Sequence, residues 1–188
     1  SAGAYITNTT PTIEFQVKDT DSGVNAGTIA VTVDGTVVST VTKTAIDGGY
    51  KCTCTSPTLK DGSHTISVKA SDNDGNAAAA KTATFTVDTV PPTLQITAPS
   101  NNLITNKKTV TVSGKTDDVS SKPVTVTVNG ATVTVGTDGT FTKDVTLAEG
   151  ANTITIVAKD KAGKTTTVTR KVTVDTSAPV IKSVTLTT

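Results

Sequence analysis

Four aspartates, Asp88, Asp117, Asp118 and Asp160, come nearest in this chain to residues whose type and spacing could do chemistry. Carboxylates are hard oxygen ligands, and calcium takes about six to eight oxygens from such groups and from loop carbonyls. Ca2+ is therefore the cofactor for which the sequence offers candidate ligands. A plainer reading stands beside it, because an Asp next to a turn commonly bonds its own backbone and Asp before Gly is an ordinary hairpin residue. No dense DxDxDG loop accompanies the four.

Catalysis finds little support. His64 is the only histidine, and it lies in Gly62-Ser63-His64-Thr65 where a second copy of the pattern carries Asn152, so a local hydrogen-bonding role is expected rather than that of a base. The only glutamates, Glu14 in a strand-like run and Glu149 in a turn, leave a paired-carboxylate hydrolase site without members. Gly-rich pieces have hairpin rather than phosphate-loop spacing. No catalytic residue is expected, and the chain reads as a non-enzyme. Cys52 and Cys54 stand two apart in Tyr50-Lys51-Cys52-Thr53-Cys54-Thr55, so strand alternation puts both on one face with Tyr50. A bond between them would be strained, and two small buried hydrophobes are the expectation.

Composition narrows the class further. The chain has 44 Thr, against two Tyr, three Phe and no Trp or Met. Threonine is β-branched and polar, which suits the solvent face of an antiparallel strand. Formal net charge is +1, and no basic run exceeds Lys107-Lys108 or Arg170-Lys171. Neither the electrostatic footprint nor the stacking platform that nucleic acid requires is present. No apolar run approaches the length of a membrane span, so membrane insertion is not expected.

The elements that must position these residues repeat. Ile6-Thr7-Asn8 recurs as Ile104-Thr105-Asn106, Val31-Thr32-Val33-Asp34-Gly35 as Val126-Thr127-Val128-Asn129-Gly130, and Val87-Asp88-Thr89 before Pro92 as Val174-Asp175-Thr176 before Pro179. Thr alternates with Val or Ile between turns such as Asp34-Gly35 and Asn129-Gly130, the pattern of half-buried antiparallel strands. The second copy reads as strands at 93 to 98, 108 to 114, 124 to 129, 131 to 136, 140 to 147, 152 to 159 and 165 to 174. The first reads as strands at 11 to 18, 29 to 34, 36 to 43, 49 to 55, 64 to 71 and 80 to 87, with no counterpart of 93 to 98. That counterpart recurs instead at the far end, as Val180-Ile181-Lys182-Ser183-Val184-Thr185-Leu186. The expected organisation is all-β: an antiparallel sandwich over 1–89 lacking its first strand, a complete sandwich over 90–177, and a surplus strand over 178–188.

Several stretches carry a resemblance. Pro123-Val124-Thr125-Val126-Thr127-Val128-Asn129-Gly130, Asp138-Gly139-Thr140-Phe141, Glu149-Gly150-Ala151-Asn152-Thr153-Ile154 and Ala158-Lys159-Asp160-Lys161-Ala162-Gly163 resemble the bacterial Ig-like domains. Copy one looks like a relative, through Val33-Asp34-Gly35, Leu59-Lys60-Asp61-Gly62-Ser63-His64-Thr65 and Ala70-Ser71-Asp72-Asn73-Asp74-Gly75-Asn76. Such domains occur in tandem in surface adhesins and beside catalytic domains of secreted carbohydrases, which implies two Ig-like sandwiches and an extracellular or cell-surface location. In that fold the BC and FG loops share one end, where the chain also enters. Asp88 of the linker should then approach Asp117, Asp118 and Asp160, with Asp19, Asp21, Asp72 and Asp74 as the equivalent group of copy one.

Three roles follow as expectations. A tandem spacer or stalk has neighbouring repeats as its partners, and Pro91-Pro92 should make its linker stiff. A self-assembling filament subunit has copies of itself as partners, with Val180, Ile181, Val184 and Leu186 of a donor strand completing the open sandwich of a neighbour. An accessory or carbohydrate-binding module beside a secreted enzyme is the third, and it has few aromatics to work with.

Overall fold

The structure, a computed structural model, describes residues 3–186. The first module contains β1 (Ala4–Ile6), β2 (Thr12–Lys18), β3 (Val24–Val33), β4 (Thr36–Val37), β5 (Thr42–Ile46), β6 (Gly49–Thr55), β7 (Gly62–Asp72) and β8 (Lys81–Val87). The second contains β9 (Thr93–Ala98), β10 (Leu103–Thr105), β11 (Thr109–Asp117), β12 (Thr125–Val128), β13 (Ala131–Val133), β14 (Thr140–Thr146), β15 (Gly150–Lys159) and β16 (Thr165–Val174). By contact the chain divides into a unit of 1–90 with 119–122 and 161–164, and a unit of 91–118, 123–160 and 165–188.

Each module is a pair of sheets. The first sets β1-β8-β7-β3-β4 against β2-β6-β5, and the second sets β10-β16-β15-β12-β13 against β14-β11-β9. Alternating Thr and Val gives each strand one wet and one dry face: in β15 Ile154, Ile156 and Ala158 are buried while their neighbours are not. Hairpin turns fix the register. Asp34-Gly35 and Asn129-Gly130 all have positive φ, between 47° and 81°, as a two-residue turn matched to strand twist requires.

The two cores differ in continuity. In the second module Val112, Val126, Ile154, Ile156, Val172 and Val174 belong to one cluster, against which Leu94 and Ile96 of β9 pack. The first module's core falls into two clusters, one around Ile13, Val31 and Val33 and one around Val24, Ile29 and Cys52, with Phe15 and Val41 packed against both.

Four expectations need correction. The sandwiches are not wholly antiparallel, since β1 pairs parallel with β8 and β10 parallel with β16; both short strands escaped the sequence reading because three residues show no period. Their alignment also slips by one. Ile6 lies opposite Val87 but Thr105 lies opposite Val174, so Ile6 answers to Thr105, and Ile104 turns outward at 73% exposure. The expected strand at 36 to 43 divides, with Thr36–Val37 staying beside β3 and Thr42–Ile46 crossing to pair with β6. Finally, 180–186 forms no strand, because β11 of its own module is already paired with both β9 and β14.

Candidate functional site

Asp118 and Asp160 are brought together. Asp118 follows β11, Asp160 follows β15, both are buried, and one carboxylate oxygen of each lies within 4.8 Å of the other. Two anions at that separation gain from a shared cation. Asp117 stays apart from the pair: it is exposed, and its Oδ1 accepts the Asp118 N–H at 2.9 Å. Asp88, directly after β8, is 1% exposed; its Oδ1 accepts the Val90 N–H at 3.1 Å, and its Oδ2 accepts no hydrogen bond.

The corresponding acids of the first module do turn work instead. Asp19 Oδ1 accepts the N–H groups of Asp21 and Gly23, each at 2.9 Å. Asp72 accepts from Asp74 N, Asn76 N and Asn76 Nδ2 at 2.7–3.0 Å, and the Asn76 side chain leads the bonds that hold its pKa below the ordinary value. Here the plain reading of the sequence is the correct one.

A second arrangement was missed in the sequence. Asp61 accepts both the N–H and the hydroxyl of Thr89, at 3.0 and 2.9 Å, and Glu149 accepts both from Thr176, at 2.9 and 2.8 Å. These two-point clamps hold the chain as it leaves each module. The repeated acid-Gly and Val-Asp-Thr pieces were both visible, but only the fold shows that they touch.

His64 bridges Asp34 and a loop. Its Nδ1 lies 2.6 Å from Asp34 Oδ2 and its Nε2 lies 2.8 Å from the Lys60 carbonyl, while its ring packs on Phe85. Both partners can only accept, so both ring nitrogens must donate and the geometry suits the imidazolium. In the second module Asn152 instead bonds Ala148, because Val128 faces Ile156 there whereas Val33 faces Ile66 here.

Against known proteins, residues 2–89 match the family described as bacterial Ig-like domain, and residues 92–176 match the family described as glucodextranase, domain B. The chain is a tandem pair of bacterial Ig-like modules. Bacillopeptidase F of Bacillus subtilis is 34% identical over 140 residues, which cover 74% of this chain and 9% of that protein. The chain thus spans under a tenth of the curated relative it matches. Fibronectin(III)-like modules of Clostridium thermocellum CbhA share the fold at a TM-score of 0.51 and 19% identity, covering 92% of this chain and 90% of theirs. An I-band fragment of titin does so at 0.53 and 13% identity, covering 93% of this chain and 62% of its own.

The clasp between buried His64 and exposed Asp34 should make the first Ig-like module sensitive to pH. Burial opposes a charge on His64, yet the Asp34 hydrogen bond, the Lys60 carbonyl and the Asp34 charge outweigh it and raise the pKa above the ordinary 6.5. That stabilisation is complete below pH 6.5 and fades as pH rises through the higher folded value. Asp34, held below its ordinary 3.8 first by the His64 bond, adds stability that fades as pH falls through its folded value. The window of full effect is therefore pH 3.8 to 6.5. Replacing His64→Ala should cost the first module about 1 kcal/mol at pH 5.5, because the exposed Asp34 carboxylate can turn to water once its partner is gone, and less at pH 9. Calorimetric melts at the two pH values check the difference.

The cysteines are free and buried. Burial raises both thiol pKa values, so neither is a ready nucleophile.

Proposed function

We propose that this pair of Ig-like modules is a non-catalytic extracellular spacer that carries load between the parts of a longer bacterial surface or secreted protein. The observation that carries the reading is the parallel pairing of the first and last strands of the first module, β1 with β8, which the second module repeats with its short second strand, β10 with β16. Tension applied through the ends of a module runs along such a pair, so its hydrogen bonds are sheared together rather than opened one at a time. The clamps Asp61–Thr89 and Glu149–Thr176 anchor the strand ends where the load would enter. Pulling single molecules from the two ends should give two distinct unfolding events. Thr105→Pro, at the β10 residue whose backbone faces β16 and whose carbonyl accepts the Asp175 N–H, should lower the force of one of them. Featureless extension at low force would refute the spacer reading. An accessory role beside a secreted enzyme draws on the name glucodextranase, domain B, and is compatible with the same mechanics.

Calcium belongs to this proposal. Asp118 and Asp160 offer two close carboxylates in the second module, and the sequence expectation adds Asp88, whose buried Oδ2 lacks a hydrogen bond. Loop carbonyls and water would complete the shell. A saturating ion at about 100 times its Kd adds about 2.7 kcal/mol of stability. Millimolar calcium should raise the melting temperature of the chain by several degrees, and chelator should reverse it. Asp160→Asn should abolish the shift, and Asp88→Asn should do the same if Asp88 is a ligand. A melt indifferent to calcium removes the idea.

A further inference from the structure

In the second module β11 carries a strand on each side, β14 on one and β9 on the other. Its counterpart in the first module, β2, pairs with β6 alone among the described residues. The correspondence is set by the hairpin bonds: Asp19 N to Gly48 O matches Thr116 N to Gly139 O, and Ser56 N to Pro11 O matches Leu147 N to Lys108 O. Val17 therefore stands where the second module has Gly114. A depression of about 210 Å³ lies beside that edge, lined by Val17, Val24, Ala70 and Ala77 among others. Ala70 matches Ala158, which β9's module buries completely.

The segment 178–186 has the opposite need. It follows the same exit as β9: Glu149 holds Thr176 as Asp61 holds Thr89, and Asp175 Oδ1 accepts Ser177 N as Asp88 Oδ1 accepts Val90 N. Beyond that point it has no ladder, and Val180, Ile181, Val184 and Leu186 are 81–92% exposed. Counting six residues on from the repeated aspartate, Ile181 takes the place of Leu94, and in step with it Ser183 takes that of Ile96 and Leu186 that of Pro99.

We propose that the β2 edge of the first module accepts residues 178–186 of a second copy of this chain as an antiparallel strand. Side-chain volume favours this occupant. In the second module bulky Ile96 faces Gly114, where a Cβ would come within 2.8 Å of Phe141 Cζ. In the proposed pair the sizes are exchanged, with small Ser183 facing Val17. Leu186 would then reach a second depression of about 340 Å³, lined by Ile6, Ile13, Ile66, Ala83 and Phe85 among others. Ala83 takes the position of Arg170, which in the second module reaches over to the Pro99 carbonyl at 3.1 Å. Ile181 and Ser183 face the core, and Lys182 faces solvent beside Lys18, so added salt should strengthen the contact.

Donation within one chain is too short. The second module's exit strand β16 is ten residues, about 33 Å, from entry to exit. Of the 12 residues 175–186, about ten would be spent returning along it, too few remaining to form the strand. A contact between unlike surfaces of successive copies gives an open chain of molecules unless its rotation closes a ring.

The test is self-association of the 188-residue chain by sedimentation across micromolar to millimolar concentration. Deletion of 178–188 should weaken association at least tenfold, and so should Ser183→Phe, which overfills the space beside Val17 without touching the fold of an exposed tail. A synthetic peptide of residues 177–188 added to the truncated chain should bind and raise the melting temperature of the first module, whereas its Ser183→Phe form should not. An intact chain that stays monomeric at millimolar concentration, or association unchanged by the deletion or by Ser183→Phe, overturns the proposal.

Discussion

Replacing Ile154→Ala is expected to lower the stability of the second module by about 3 kcal/mol and its melting temperature by about 15 °C. Ile154 is completely buried in the middle of β15, at the centre of a core built from both sheets. The removed methyl groups leave a space that neighbours fixed in two hydrogen-bonded sheets cannot close, so the cavity adds to the lost transfer free energy. The corresponding residue of the first module, Ile66, is only half-buried and lines a surface depression. Ile66→Ala should therefore cost about 1 kcal/mol, since less apolar area leaves contact. Differential scanning calorimetry resolves the pair, and equal effects would show that the two cores are not packed as described.

Gly139→Ala should cost about 3 kcal/mol or more, although it adds one methyl group at a surface turn. Gly139 has φ of +82°, and a Cβ there would lie 2.1 Å from the Thr116 carbonyl oxygen. That carbonyl cannot move away freely, because Thr116 N donates to Gly139 O at 2.9 Å in the same contact. Gly130 is the control. Its φ is +80° but nothing lies within 4 Å of the added methyl, so Gly130→Ala should cost only the backbone strain, about 1 kcal/mol. Denaturant melts of the two variants separate steric clash from conformational preference, and equal losses would remove the clash.

Calcium and strand donation both draw on places where the two repeats differ while sharing a scaffold. At the loop end of the first module, Asp19 and Asp72 spend their oxygens on turn N–H groups. In the second module the corresponding loops bury Asp118 and Asp160 against each other. The residue type is the same, and the local backbone decides whether the carboxylate closes an exposed turn or is buried beside a second one.

The sequence by itself determined the all-β character, the two repeats and most of their strands, because Thr-Val alternation and Asp-Gly or Asn-Gly turns act over two to ten residues and are written locally. It also named Asp118 and Asp160, with Asp88 and Asp117, as loop acids, and placed Glu14 on a solvent face, where it meets Lys51 at 3.5 Å. Tertiary structure decided what depends on register between distant strands. The pairing of Ile6 rather than Thr7 with Val87 has no signal in a three-residue strand, and a slip of one reverses every face. The meeting of Asp34 with His64 needs the particular offset of β3 on β7, two residues away from the offset that β12 adopts on β15. Partition of 36 to 43 between two sheets was equally hidden, since both halves carry strand-forming residues and only the packing of the opposite sheet selects where the chain crosses.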